Sequence, residues 1–348
     1  MDSFAELHDA VRALRERREL AAALALLDGR ETDFELQSGL IYVTRASVLA
    51  DSGRADDALD TLEKALAAGC RYKRSWLESD RALAALRTLA RFAEIVERSD
   101  RRYEEEAAEA RPLLTTVFPS SDRTTDHGPL LVVLHGNNSN MAEFVHWWTA
   151  SKRGWLVAVP QSGEIGVSPR AYTWNDRERT ATEVETHIAQ LRREHSVRSD
   201  PLVLAGFSMG GLQAIAIGLT GRIAVTGIIA VAPWLPHIKE FTELAREGAL
   251  RGVPTYLLVG DRDPSYSGAR QLVDLLTAQD TRAPRTAFGH GSRVPEGRRR
   301  LAWAGSRVRV ALNRRRAPTP AARLTPIEAL RRRKGCRWDR SRSCHRGR

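Results

Sequence analysis

The chain has 348 residues, 42% of them hydrophobic, which is enough for two domains and a sizeable core. No run of about 18 apolar residues occurs, which excludes a membrane-spanning helix; the acidic start MDSFAELHDA does not read as a secretory leader, and Cys70, Cys336 and Cys344 fit neither a disulfide framework nor a zinc site, so a cytoplasmic setting is expected. The formal charge of +11 is lopsided: residues 282–348 hold 20 Arg and 1 Lys against 3 acidic residues, a net +18, which leaves residues 1–281 at −7.

Residues 1–110 are rich in Ala, Leu, Glu and Arg and nearly free of proline, and they read as a helical domain. AELHDAVRALRERRELAAALALLDG carries apolar residues at three-to-four spacing and stops at Gly29. In IYVTRASVLADSGRADDALDTLEKALAAG, Tyr42, Ala46 and Leu49 fall on one helix, Gly53 at a turn, and Ala58, Leu62 and Ala65 on a second. The small residues allow close approach of the two helices, and the stretch resembles one tetratricopeptide repeat. Trp76 to Val96 reads as a further helical pair that departs from that consensus. Such a short array needs a neighbour to cover it, so it is expected to pack on the next domain. It offers either a plain scaffold or a surface for a protein partner.

The boundary falls near Arg111-Pro112, and a second domain is expected over 111–291. Strands are expected at 113–118, 129–135, 155–160, 202–207, 226–232 and 255–260, each short and apolar, with helices at 141–151, 178–195 and 211–221 between them. Continuous apolar strands imply burial on both faces, hence an α/β doubly wound, mostly parallel sheet covered by helices. Only about 20 residues separate Trp234 from Val253, which leaves no room for a large lid.

VLAGFSMGGLQAIAIG carries the chemistry. Gly206-Phe207-Ser208-Met209-Gly210 is a G-x-S-x-G sequence that ends an apolar strand and opens a helix. A nucleophilic serine on so sharp a turn needs small residues two before and two after it. The following helix then points its first N–H groups at a developing oxyanion. Upstream, a strand ends at His135-Gly136 before the polar loop NNSN, so the N–H of Asn137 is placed to join that of Met209 in an oxyanion hole. His135 itself reads as structural. Downstream, the strand ending at Gly260 is followed by Asp261 and Asp263, and past these acids only His290 and His345 remain as bases. A serine hydroxyl needs an imidazole to take its proton and a carboxylate to hold that imidazole. Trp174 and Trp234 are candidate pocket residues, as are Trp147 and Trp148, each also readable as core.

These motifs resemble the α/β-hydrolase family over residues 113–290, nearest its small carboxylesterase and dienelactone-hydrolase-like branch. The resemblance implies a triad in the order Ser208, Asp263, His290, because the family places its acid three residues after such a glycine; Asp261 is the alternative acid. It implies a small ester or thioester substrate, with neither metal nor cofactor. Two other readings of the same chain are a catalytically silent adaptor that binds a protein partner through its helices, and a peptidase of the same fold.

Residues 292–348 depart from that family, which ends on a histidine loop and a regular helix. Arginine dominates here, and the segment is expected to be either a disordered basic extension or the product of a reading-frame slip. A one-base shift over Phe288 to Glu296 permits a family-like Gly-His-Glu-Phe-Pro, with the histidine near Ser292. A basic stretch can attract nucleic acid, but Trp303 and Trp338 are the only aromatics interleaved with it, which argues against that partner.

Overall fold

The computed structural model describes residues 3–119, 128–195, 197, 200–235, 238–246, 252–261, 263–278, 285–289, 301–302 and 309–310; for 145–148, 246 and the last three ranges it describes backbone alone. The chain begins with helices α1 (Phe4–Glu16), α2 (Leu20–Leu27), α3 (Arg30–Asp33), α4 (Ser38–Asp51), α5 (Ala55–Ala67), α6 (Arg74–Ser79) and α7 (Ala90–Glu109). α1 starts as a capping box sequence, Ser3-Phe4-Ala5-Glu6, with the Ser3 hydroxyl accepting from the Glu6 N–H at 3.2 Å. The helical run expected to continue to Gly29 is broken: Arg18 takes φ 61° between α1 and α2. The break falls in the charged stretch Arg-Glu-Arg-Arg-Glu, which offers no apolar face to hold a helix together.

The residues read as a helical hairpin do pack as one. Ala46, Leu49, Ala58, Leu62 and Ala65 are all buried in a single cluster shared by α4, α5 and α7, and Tyr42 lies against it. The stretch from Trp76 to Val96 differs from expectation: α6 is short, a 3₁₀ turn covers Arg81–Leu86, and α7 runs on to Glu109. Only Phe92, Ile95, Val96 and Ser99 of α7 are buried, so its C-terminal half has no buried apolar face that the sequence pattern could mark.

Strands follow at β1 (Leu113–Val117), β2 (Leu130–Leu134), β3 (Leu156–Gln161), β4 (Glu164–Ile165), β5 (Tyr172–Thr173), β6 (Leu202–Phe207), β7 (Gly227–Val231), β8 (Thr255–Gly260) and β9 (Arg285–Gly289). Among the described residues the main sheet has seven strands in the order β1-β3-β2-β6-β7-β8-β9. β1 is antiparallel to β3 and the remaining pairs are parallel. A 3₁₀ helix (Met141–Arg153), α8 (Arg177–Glu194), α9 (Met209–Thr220), α10 (Lys239–Arg246) and α11 (Tyr266–Ala278) connect the strands.

Burial on both faces accounts for the unbroken apolar runs. Leu130, Val132 and Leu134 of β2 join one core cluster with Leu156, Ala158, Leu202 and Leu204. Leu131 and Val133 join the opposite cluster with Val157, Val159, Val203 and Ala205. Each buried Val or Leu contributes roughly 1.5–3 kcal/mol of transfer free energy, so both faces of the central strands contribute to the core. Helices and sheet lie within one compact unit. Within the basic segment, Leu301–Ala302 pairs with Arg309–Val310; the rest of 290–348 lies outside the described residues, His290, Ser292 and the expected disorder or frame slip included.

Candidate active site

The end of β6 turns into α9 within a single residue. Ser208 sits at φ 52°, ψ −118°, a region that residues with side chains rarely occupy and that costs on the order of 1–3 kcal/mol. Three backbone bonds hold it there: its N–H donates to Val231 O at 3.0 Å, and its carbonyl accepts from Leu212 N–H at 3.0 Å and Trp234 N–H at 3.1 Å. The flanking glycines are sterically required. A Cβ on Gly206 would lie 2.2 Å from the Gly210 carbonyl oxygen, and one on Gly210 would lie 2.3 Å from that of His135. α9 is buried from Gly210 to Leu219, so its N-terminus is fixed against the sheet, with the Met209 N–H in the first turn where no intrahelical acceptor exists.

The loop after β2 runs beside this turn. Strand register sets Leu134 against Gly206, and a Cβ on Gly136 would lie 3.5 Å from the Ser208 Cβ. Sequence reasoning thus paired the two segments that the sheet brings together. The Asn137 side chain is tied on both ends: its Oδ1 accepts from the Trp174 N–H at 2.8 Å and its Nδ2 donates to Asn175 Oδ1 at 2.6 Å. Asn138 takes φ 50°, which asparagine tolerates better than most residues. Ser139 then exchanges backbone bonds with Tyr172, whose N–H donates to the Ser139 carbonyl at 2.9 Å.

His135 is fully buried beneath this loop, its ring 4.9 Å from that of Trp174. Its partners define its tautomer. Gly136 O, 2.8 Å from Nδ1, can only accept, and the Ser162 N–H, 3.3 Å from Nε2, can only donate; Gln161 Nε2 reaches the same nitrogen at 3.1 Å. Burial pushes its pKa down to about 4, against which the Gly136 carbonyl contact is the weaker influence. A neutral, fully hydrogen-bonded ring is a strut for the loop. Gln161 also accepts the Met141 N–H at 3.1 Å; nothing in the local sequence singles Gln161 out, because its partners come from two other segments.

The acid candidates lie where expected, just past β8. Asp263 is half-buried, and its Oδ1 accepts the Ser265 N–H at 2.8 Å, which orders the turn into α11. Asp261 is exposed. β9 pairs with β8 in register Gly260 to Gly289, so the backbone preceding His290 ends beside the end of the strand that both aspartates follow. Of the candidate pocket residues, Trp174 is fully buried in the core, with its carbonyl accepting from Gln213 Nε2 at 2.6 Å; it has no face toward solvent, and its backbone N–H holds the Asn137 side chain. Trp234 is 43% exposed and Phe207, which sequence reasoning passed over, 42%. Phe207 precedes Ser208 in the chain, and Trp234 is tied to the Ser208 carbonyl through its backbone N–H. The side chains of Trp147 and Trp148 lie outside the described residues. Among the described residues no group of three or more His, Cys, Asp or Glu is placed to hold a metal ion, and no helix is long and apolar enough to cross a membrane.

A mostly parallel sheet with a strained serine turn between its central strand and a buried helix is the architecture of an α/β hydrolase. Comparison with known proteins agrees. Residues 125–286 match the family described as serine aminopeptidase, S33, and residues 4–108 match the A/B hydrolase-like N-terminal domain. The chain belongs to the α/β-hydrolase superfamily. The helical segment therefore matches a domain named for its association with hydrolases, while the tetratricopeptide resemblance rests on one helical hairpin. An acyl-protein thioesterase 1 of Mycosarcoma maydis is 32% identical over 84 residues, 24% of this chain and 35% of that protein. One from Gibberella zeae is 22% identical over 180 residues, 42% of this chain and 74% of that protein. The chain thus spans from about a third to three quarters of these relatives. An uncharacterized protein of Bacillus cereus ATCC 10987 is similar over 84% of this chain and 94% of its own, at 21% identity and a TM-score of 0.45.

Proposed function

We propose that the protein hydrolyses a carboxylic ester or thioester through an acyl-enzyme. Ser208 attacks the acyl carbonyl while His290 takes its proton, and Asp263 orients the imidazole and stabilises its charged form. The N–H groups of Asn137 and Met209 receive the oxyanion. His290 returns the proton to the departing alcohol or thiol, then activates the water that releases the acid. The reaction as written calls on no metal and no cofactor. Phe207 and Trp234, both exposed large apolar residues next to Ser208 in the chain or bonded to its backbone, suit an apolar acyl or alcohol group. The observation that carries the reading is the backbone of Ser208, a strained conformation that its neighbours enforce at the end of a central strand, where such strain marks functional turns. Thioesters are included because the curated relatives named above are acyl-protein thioesterases.

The test is hydrolysis of a p-nitrophenyl acyl ester and of an acyl-thioester by the whole chain, beside Ser208→Ala. Turnover by the unmutated protein that is lost in the variant supports the reading; equal rates in both remove it. The name of the matched family favours a second reading, release of an amine from an aminoacyl amide. Faster turnover of aminoacyl p-nitroanilides than of esters selects it.

A further inference from the structure

The helical domain reaches the hydrolase domain at several points, among them the loop of Asn137 and Asn138. Gln37 is the N-cap of α4, yet its side chain makes no capping bond to its own helix. Instead its Nε2 donates to the carbonyl of Asn138 at 2.6 Å, across 101 residues of sequence. The cap that α4 lacks comes back from the other side: the hydroxyl of Ser168, fully buried, accepts the Gly39 N–H at 2.8 Å. A backbone N–H of α4 and a loop carbonyl of the hydrolase domain thus each take a side-chain partner from the other domain. Space at this contact is tight, since a Cβ on Gly39 would lie 2.9 Å from the Val167 carbonyl oxygen. The Arg71 N–H donates to that same oxygen at 3.0 Å, and Arg170 pairs with Glu35 at 2.7 Å.

The hairpin of β4 and β5 carries these contacts to the same loop from its other side. The Val167 N–H donates to Asn138 Oδ1 at 3.5 Å, and Tyr172 pairs with Ser139. Asn138 is thus held at positive φ by a carbonyl bond from the helical domain and by bonds from a hairpin that the helical domain also grips. Asn137, whose N–H faces the oxyanion in the proposed reaction, is the residue just before it. Peptide units are planar, and with the Asn137 side chain tied to Trp174 and Asn175 and Asn138 held at its carbonyl and its side chain, few backbone rotations are left by which the Asn137 N–H can turn.

We infer that the helical domain is part of the active site, with Gln37 as a positioning residue that sets the oxyanion loop through the Asn138 carbonyl. The inference rests on the function proposed above for its catalytic consequence. Its structural half stands independently. Two variants of the full chain test it: Gln37→Leu, which keeps bulk and removes the donor, and Gln37→Glu, which sets a carboxylate against a carbonyl. In each, amide hydrogen exchange of peptides spanning 135–141 accelerates about tenfold or more while that of 202–207 holds. Turnover of the p-nitrophenyl ester falls in kcat by about tenfold with KM nearly unmoved, because a misaligned donor is missed only where charge develops. Affinity for a phenylboronic acid, which forms a tetrahedral adduct on the serine, falls by the same factor. Unchanged exchange at 135–141 overturns the inference whether or not the protein is an esterase. Faster exchange with kcat and boronic acid affinity intact overturns the positioning role. If the unmutated protein neither turns over esters nor takes a fluorophosphonate label, the proposed function fails, while accelerated exchange still upholds the contact.

Discussion

The two halves of the site are held in place by different physics. The Ser208 turn is fixed by sterics and backbone bonds within one contiguous stretch and the strands beside it. The Asn137 loop is fixed by hydrogen bonds drawn from Gln37, Val167, Tyr172, Trp174 and Asn175, and by the buried ring of His135. The first is a strained backbone with a single solution. The second is an irregular loop held by several hydrogen bonds, each worth about 0.5–1.5 kcal/mol. Damage to the first should be abrupt and damage to the second graded.

The sharpest break falls on the serine. Ser208→Ala should reduce ester turnover by a factor of about a thousand or more with thermal stability little changed, because alanine keeps the Cβ and removes only a half-buried hydroxyl. Gly210→Ala comes next. Its methyl group would press on the His135 and Leu134 carbonyls, and with no flexible side chain to yield, the fold should lose about 3 kcal/mol in urea denaturation. An intact Gly210→Ala protein would mean that the turn is not sterically fixed.

The loop half responds to pH. The folded protein resists protonation of the His135 ring, whose pKa lies at about 4, whereas the unfolded chain protonates histidine near its ordinary 6.5. Unfolded chains therefore bind more protons in that window, and stability falls as the pH is lowered from 6.5 toward 4. Between pH 6.5 and 5 the loss should be about 2 kcal/mol, read from urea midpoints, and His135→Asn should flatten the slope. Burial holds His187 low as well, which adds to the same trend. The smallest effect is that of Ser168→Ala. Removing the cap that α4 borrows should cost about 1 kcal/mol, and hydrogen exchange should rise in α4 and the β4–β5 hairpin but not in the Ser208 turn.

The same contrast explains what the sequence made legible. β6 was readable to the residue because a strand buried on both faces is a bare apolar run, and G-x-S-x-G marks its end with two glycines that a Cβ would forbid. Its partner loop was found because it too follows an apolar strand. The antiparallel direction of β1 was not readable, since Leu-Leu-Thr-Thr-Val carries no sign of polarity along the sheet. The helical hairpin was visible through Ala46 and Ala58, small residues that let helices meet. The role of Gln37 was hidden because its partner lies far away in sequence, and a glutamine before a helix has no meaning until the fold brings an acceptor to it. Trp174 showed the limit of residue type as a guide: an aromatic near a loop lines a pocket or fills a core, and only burial decides.

The central claim is that the strained serine is the nucleophile. Treating the full chain with a fluorophosphonate and mapping the adduct by peptide mass spectrometry tests it most directly. The account predicts one adduct, on the peptide bearing Ser208, absent from Ser208→Ala. An unlabelled Ser208 peptide in the folded protein, or an adduct that persists in the variant, would contradict it.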